Sequence, residues 1–160
     1  MSDRFPAKIE IGGPTPKRLR DPLIRMIAAE HGSLNGSDKP KASTELIRRA
    51  LRKGQFLCLY DDQAPSGQFY KLEAFLLKHK IHFNRHSDGY CEHDAQWVFY
   101  RGADQPLVMP SDQTAGILLY RESAAEILDD QRIDDQTKVA ELRHLVYPPQ
   151  LTELEPIRFV

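Results

Sequence analysis

Apolar and polar residues alternate near the start of the chain. From Ala7 to Ile11 every second residue is apolar, and Gly12 and Gly13 follow. A period of two is typical of a strand with one buried face, and paired glycines are typical of a turn. The pattern therefore predicts a first strand that ends at these glycines.

A helix is expected next, and two prolines offer places for it to begin. Thr15 before Pro16 and Asp21 before Pro22 both have the form of an N-cap followed by a first helical residue. One straight helix cannot begin at Pro16 and continue through Pro22, because proline lacks the backbone donor. We expect a first turn near Pro16 and the main helix from Pro22 to about Glu30.

The next pattern is a polar loop followed by a second helix. Residues 33–42 are rich in Gly, Asn, Ser and Pro, which predicts a mobile loop. Ser43 has the position of an N-cap for a helix from Thr44 to Lys53, and Gly54 has the position of its stop.

A strand, a helix and a strand are predicted in the centre of the chain. The apolar run Gln55–Tyr60 is typical of a strand buried on both faces. An amphipathic helix follows and reaches about Lys80, and a second strand runs from Ile81 to His86. This order predicts a right-handed parallel βαβ unit in which the two strands pair directly.

Strand 81–86 is expected to form a β-hairpin with a strand that contains Trp97 and Phe99, and the turn at Asp88 decides which side chains share a face. A two-residue turn at Asp88 and Gly89 gathers donors suitable for zinc: His82, His86, Cys91 and His93. A three-residue loop from Ser87 to Gly89 places Ile81 and Phe83 with Trp97 and Phe99 instead. We prefer this loop, because burying a large apolar side chain contributes about 1.5 to 3 kcal/mol.

The preferred loop leaves a polar face on the hairpin. Its candidate metal ligands or acid/base groups are His82, His86, Glu92 and Asp94. No known ligand spacing is present, so a face that meets water is the more common case and no metal or cofactor is expected.

The C-terminal third is predicted to contain a short strand, two helices and a tail. Residues 116–120 are apolar and predict the strand, and Ser123 with Glu126 has the spacing of a capping box for a helix over 124–130. A further helix is expected from Asp135 to about Val146, where Pro148 and Pro149 end it. The tail, 148–160, alternates weakly and is expected to dock as an edge strand.

These elements predict one α/β (α+β) domain over residues 1–160. Its mixed sheet of four to five strands contains the βαβ unit and the hairpin, with helices packed on the sheet and further helices at the C-terminus. A single domain suits a chain of 160 residues.

Charge is distributed unevenly along the chain. Residues 1–53 carry 12 Lys plus Arg against 6 Asp plus Glu, whereas residues 54–160 carry 10 against 17. Positions three and four apart cluster on one side of a helix, so helix 44–53 is predicted to carry a basic stripe. The residues proposed to bind a macromolecule are Lys39, Lys41, Arg48, Arg49, Arg52 and Lys53.

A second basic cluster follows the glycines. Lys17, Arg18 and Arg20 surround a predicted helix start, where free backbone N–H groups favour anions. The cluster is a candidate anion site, although the sequence GGPTP matches no phosphate-binding motif and its prolines remove donors.

Composition narrows the classes of function. No apolar run is long enough for a membrane span and the start of the chain does not have the order of a signal peptide, so we expect a cytoplasmic protein without membrane association. Cys58 and Cys91 lack CxxC spacing, and GxSxG is absent.

These absences and the charge asymmetry favour a non-enzymatic interaction or regulatory protein that binds a protein partner. One alternative is a nucleic-acid-binding protein that uses helix 44–53. Another is a metal-dependent enzyme that uses the polar face of the hairpin. The oligomeric state does not follow from the sequence.

Overall fold

The computed structural model describes residues 3–90 and 93–160 of the chain. The α-helices are α1 (Arg20–Ala29), α2 (Thr44–Arg52), α3 (Tyr70–Lys78), α4 (Arg121–Asp129) and α5 (Asp135–Val146). The strands are β1 (Arg4–Gly12), β2 (Pro14–Thr15), β3 (Ser33–Leu34), β4 (Leu57–Pro65), β5 (His82–Ser87), β6 (Gln96–Tyr100), β7 (Leu107–Pro110) and β8 (Arg158–Phe159). The predicted mixed α+β class is confirmed.

The strands form one large and one small sheet. The large sheet has six antiparallel strands in the order β3-β4-β1-β5-β6-β7, and the small one pairs β2 with β8 in parallel. The large sheet therefore has one strand more than the upper end of the prediction. Its two edges are β3 and β7.

β1 is a central strand and pairs with β4 on one side and β5 on the other. Its alternating residues Ala7, Ile9 and Ile11 are 3%, 0% and 1% exposed. They belong to one buried cluster with apolar residues of α1, α2 and α3. The alternation that predicted the strand thus marks the face on which these three helices pack.

The predicted direct pairing of strand 55–60 with strand 81–86 is wrong. β4 and β5 both run antiparallel to β1, which lies between them. They are parallel to each other but share no hydrogen bonds, and α3 connects them across β1. The strand at 55–60 is also not buried on both faces, because Leu57 and Leu59 are buried whereas Cys58 and Tyr60 are only half-buried.

Local sequence accounts for the helix starts in this half of the chain. A short 3-10 turn at Lys17–Leu19 precedes α1, and Pro22 lies in the first turn of α1, where no intrahelical donor is required. Ser43 caps α2 as predicted, because its Oγ accepts the N–H of Leu46 at 3.3 Å.

The segment predicted to be a mobile loop contributes a strand to the sheet. Ser33 and Leu34 of β3 pair with Tyr60 and Leu59 of β4. Ser33 also bridges to Lys41, so residues 35–40 form a tight connection.

Neither predicted turn joins β5 to β6, and the preferred three-residue loop is wrong. His86 lies opposite Trp97 and Asn84 opposite Phe99, which leaves residues 88–95 as the connection. Trp97 and Phe99 therefore share a face with His86 and Asn84, not with Phe83. The prediction for Cys91 lies outside the described residues.

The C-terminal third agrees with the sequence only in part. The strand predicted over 116–120 does not form beyond a bridge between Ser111 and Ile117. The N–H of Leu118 donates to the Pro110 carbonyl at 2.9 Å. Pro110 has no N–H to donate to the Leu118 carbonyl, so the strand pairing does not continue past this point.

The helices of this region are present. The capping box at Ser123 is wrong, because α4 begins at Arg121 and Ser123 lies within it. α5 has the predicted bounds. The tail docks as expected through a short strand, β8.

A buried ion pair joins β5 to the start of α3. The Arg85 side chain is 3% exposed, and its Nε lies 3.1 Å from Glu73 Oε1 without the alignment of a hydrogen bond. Arg85 Nη1 donates to the Gly67 carbonyl at 2.9 Å and to Ser87 Oγ at 3.0 Å. Glu73 Oε1 accepts the Phe69 N–H at 2.9 Å, which holds the first turn of α3.

Replacing Arg85 by Leu should lower the free energy of unfolding by about 3 to 5 kcal/mol, because the Glu73 carboxylate, only 14% exposed, then loses its counter-charge. Urea unfolding followed by circular dichroism measures the loss. Adding Glu73→Gln should recover part of it, since the amide is uncharged and its oxygen still accepts from Phe69. Failure of the double variant to regain stability would contradict the ion-pair account.

Candidate functional site

The face of the large sheet that points away from α1, α2 and α3 is mixed in polarity. Its side chains come from alternate positions of the central strands: Lys8, Glu10, Cys58, Tyr60, Asn84, His86, Trp97 and Phe99. Residues 111–116 and the C-terminal tail cover part of it. Trp97 Nε1, for example, donates to the Ala115 carbonyl at 2.9 Å.

His86 is the most buried titratable group on this face, at 5% exposure. Its Nε2 lies 3.0 Å from Ser111 Oγ, and its Nδ1 lies 3.6 Å from Asp88 Oδ1. The imidazole packs against Trp97, with 4.8 Å between ring centroids. Burial lowers the pKa of His86 and outweighs the opposing effect of Asp88, so the ring is neutral at pH 7.

Asp88, His86 and Ser111 have the order of carboxylate, imidazole and hydroxyl that occurs in nucleophilic triads. The Asp88 contact, at 3.6 Å, is longer than a hydrogen bond. The adjoining cavity of about 230 Å³ is lined by His86, Asp88, Lys8 and Tyr60 but not by Ser111, which is 6% exposed. A hydroxyl that does not face the cavity is poorly placed for attack, so the geometry fits a polar contact that holds a neutral histidine.

The predicted metal ligands do not come together. His82 and His86 are four residues apart on one strand, which places their Cα atoms about 13 Å apart. Asp94 is exposed in the connection between β5 and β6, and Glu92 lies outside the described residues. Within residues 3–90 and 93–160, no group of three or more His, Cys, Asp or Glu side chains could hold a metal ion.

A second cavity, of about 390 Å³, lies between the same face and the C-terminal tail. Arg101 ties the two together: its Nη2 donates to Asn84 Oδ1 and to the Thr152 carbonyl, each at 2.8 Å. Its Nη1 donates to the Phe83 carbonyl at 3.1 Å. Arg101 therefore fastens the tail to the sheet, and these donors are not free for a ligand.

The six basic residues proposed to bind a macromolecule are all exposed. Lys39, Arg49 and Lys53 line one hollow of about 250 Å³ beside α2. Arg48 lies 3.3 Å from Asp21, and Arg49 lies 3.6 Å from Glu45. The basic surface of α2 is therefore present, but part of its charge is balanced by neighbouring carboxylates.

Backbone donors of the candidate anion site are already hydrogen-bonded to the C-terminal tail. The Gly13 N–H donates to the Glu155 carbonyl and the Lys17 N–H to the Val160 carbonyl, each at 2.9 Å. Lys17, Arg18 and Arg20 are exposed, and the Arg20 guanidinium lies 5.7 Å from the centre of the Phe159 ring. The C-terminal tail thus occupies the place where an anion was expected.

The most unusual surface lies at α4 and α5, which form a helical hairpin near β7. Neither helix contains a buried residue. Leu128, Val139 and Val146 are 54%, 51% and 39% exposed, and the apolar segment 117–120 before α4 is exposed as well. We refer to the exposed apolar side chains of residues 117–147 as the apolar hairpin surface.

Sequence reasoning identified His86 but missed its neighbour Ser111, because the two are joined only through the pairing of β6 with β7. It also missed the apolar hairpin surface. The available signal was the run Ile117–Tyr120, because consecutive residues of a strand point to opposite faces and four apolar residues in a row cannot all face one core.

Comparison with known proteins gives no match: no family model, no curated protein and no solved structure corresponds to this chain. Among the described residues, none of the helices has the length and apolar character required to cross a membrane. Function must therefore be inferred from the geometry alone.

Stability should fall as the pH drops below about 6.5, the usual pKa of histidine. Burial lowers the pKa of both His82 and His86 in the folded chain, so between the folded and unfolded pKa values the unfolded chain binds more protons. Unfolding by urea at a series of pH values measures this dependence. His86→Gln should reduce the slope, and an unchanged slope in that variant would contradict the assignment.

Proposed function

We propose that the chain is an interaction protein that binds a protein partner through the apolar hairpin surface. The observation that supports this proposal is that α4 and α5 bury none of their residues, although each carries large apolar side chains. Helices shorter than about 12 to 15 residues are marginal in water, and tertiary packing of an apolar face stabilises them. A partner that covers the hairpin would supply that packing.

The chemistry of the surface indicates the kind of partner. Apolar patches larger than a few hundred Å² on a soluble protein mark interaction sites, especially where polar residues surround them. Charges of both signs flank this patch, including Arg121, Glu122, Glu141 and Arg143. The surface therefore suits a protein with an apolar helical face and a charged rim, which would place the chain among interaction or regulatory proteins.

A photo-crosslinking residue at position 139 should form adducts of discrete mass in cells that express the chain. The same residue at position 70 is the matched control, because Tyr70 on α3 is 53% exposed and Val139 is 51% exposed. Adding Leu128→Gln should weaken the adducts at position 139, since it removes a neighbouring apolar contact. Equal labelling at both positions, or none at position 139, would contradict the proposal.

The hollow lined by Lys39, Arg49 and Lys53 favours nucleic-acid binding as a second candidate function. Convergent cations neutralise phosphates, and such binding weakens steeply with added salt. Gel-shift titration with a labelled DNA duplex at low salt should show a shift that Arg49→Gln with Lys53→Gln weakens by about tenfold or more. Lys78→Gln, an exposed site on α3, is the control, and absence of a shift at low salt rejects this candidate.

A further inference from the structure

We propose that the protein partner of the apolar hairpin surface is a second copy of the chain, docked antiparallel about a two-fold axis so that two hairpins form a four-helix arrangement. This inference rests on the proposed function, because it names the occupant of the same surface. Three observations support it: the continuity of the surface, the positions of its apolar residues along the hairpin, and the distribution of its charges.

The apolar surface is continuous. One hollow of about 440 Å³ lies on the hairpin and is lined by Ile127, Ala140 and Leu145 among others. A second, of about 360 Å³, lies between the hairpin and β7, where Val108 and Leu119 line it. His144 and Leu145 line both hollows, so a single partner can cover the two together.

Exposed apolar side chains occur at both ends of the hairpin. Leu128 and Val139 lie near the turn between the helices, where Lys138 Nζ donates to the Leu128 carbonyl at 2.7 Å. Val146, seven residues after Val139 and so on the same side of α5, lies at the open end with Tyr147, which is 77% exposed. Antiparallel docking places the turn end of each copy over the open end of the other, which is one of the isologous contacts that a two-fold axis allows.

The two ends of the hairpin also differ in charge. The turn end carries Asp129, Asp130, Asp134 and Asp135 against two cations, Arg132 and Lys138. The open end is formed by the first turn of α4 and the last turn of α5. It carries Arg121 and Arg143 and a single acid, Glu122. Parallel docking would bring two acidic turns together. Antiparallel docking separates them by about 18 Å, the length of a twelve-residue helix, which exceeds the screening length of about 8 Å.

Two of the four aspartates are available for contacts with another chain. Asp130 is bound by Arg132, which holds the pKa of that carboxyl at about 2. Asp134 caps α5 and accepts the Thr137 N–H at 2.7 Å. Asp129 and Asp135 have exposed side chains at this end and are the acids expected to face the arginines of the other copy.

Sedimentation equilibrium of the purified full chain tests the second copy directly. The parent chain should sediment as a dimer at micromolar concentration. Leu128→Gln with Val139→Gln should raise the dissociation constant by at least about 100-fold, because two apolar side chains of each copy, four in the dimer, leave the interface. Tyr70→Gln, a charge-neutral change of matched exposure on α3, should leave it unchanged.

Charge reversal tests the antiparallel orientation. Arg143→Glu and Asp129→Lys should each weaken self-association, and mixing the two variants should restore a dimer that contains one copy of each. Both changes leave the cap at Asp134 intact. Asp62→Lys, at an exposed position of β4 four strands away from β7, is the control and should have no effect.

The outcomes separate this inference from the proposed function. A parent chain that remains a monomer, a dimer that survives the double Gln variant, or charge variants that do not complement each other would overturn antiparallel self-association. In the monomer case, crosslinked adducts at position 139 with a mass other than twice that of the chain would still support binding of a different protein. Absence of both a dimer and adducts would reject both.

Discussion

The position of β1 between β4 and β5 is the constraint on which the rest of the structure depends. β4 and β5 follow each other along the chain with α3 between them, yet each must bond to an opposite edge of β1. α3 therefore spans two strand spacings, about 10 Å. Gly67 permits the tight entry into α3, because its φ is +63° and a Cβ there would lie 2.7 Å from Ser87 Cβ and against the Phe5 ring. Arg85 then locks Gly67 and Glu73 onto β5.

The local sequence pattern predicted the helices and strands better than it predicted which strands lie side by side in the sheet. The alternation in β1, the cap at Ser43 and the spacing in α5 depend on residues close together in sequence, and the corresponding elements are present. Strand order depends on which distant edges meet, and the sequence of β4 does not reveal that β1 lies between it and β5. The prediction of a short turn at Asp88 is wrong for a related reason: apolar matching fixes the register of a hairpin only when the length of its loop is known, and eight residues, 88–95, separate β5 from β6.

In the candidate site, too, the local sequence indicated individual residues but not the distant residues that contact them. His86 stood out because it shares the predicted polar face of the hairpin with other titratable residues, but its chemistry is set by Ser111 and Trp97, which reach it through β6 and β7. Likewise the sequence shows the basic residues Lys17, Arg18 and Arg20. The carbonyl groups that accept the N–H groups of Gly13 and Lys17 belong to the tail at the far end of the chain. Burial and hydrogen bonding, not residue type, decide which polar groups remain free to act.

The sheet order also places the two candidate binding surfaces apart. α2 packs beside β4, next to the β3 edge, whereas the apolar hairpin surface adjoins β7 at the opposite edge. Because β1, β5 and β6 lie between them, a partner that covers the hairpin leaves Arg49 and Lys53 exposed. A two-fold contact through the hairpins would therefore carry one basic α2 surface at each outer end of the assembly. Two weak cationic surfaces held at a fixed separation bind a polyanion more tightly than either alone, provided that both can reach it.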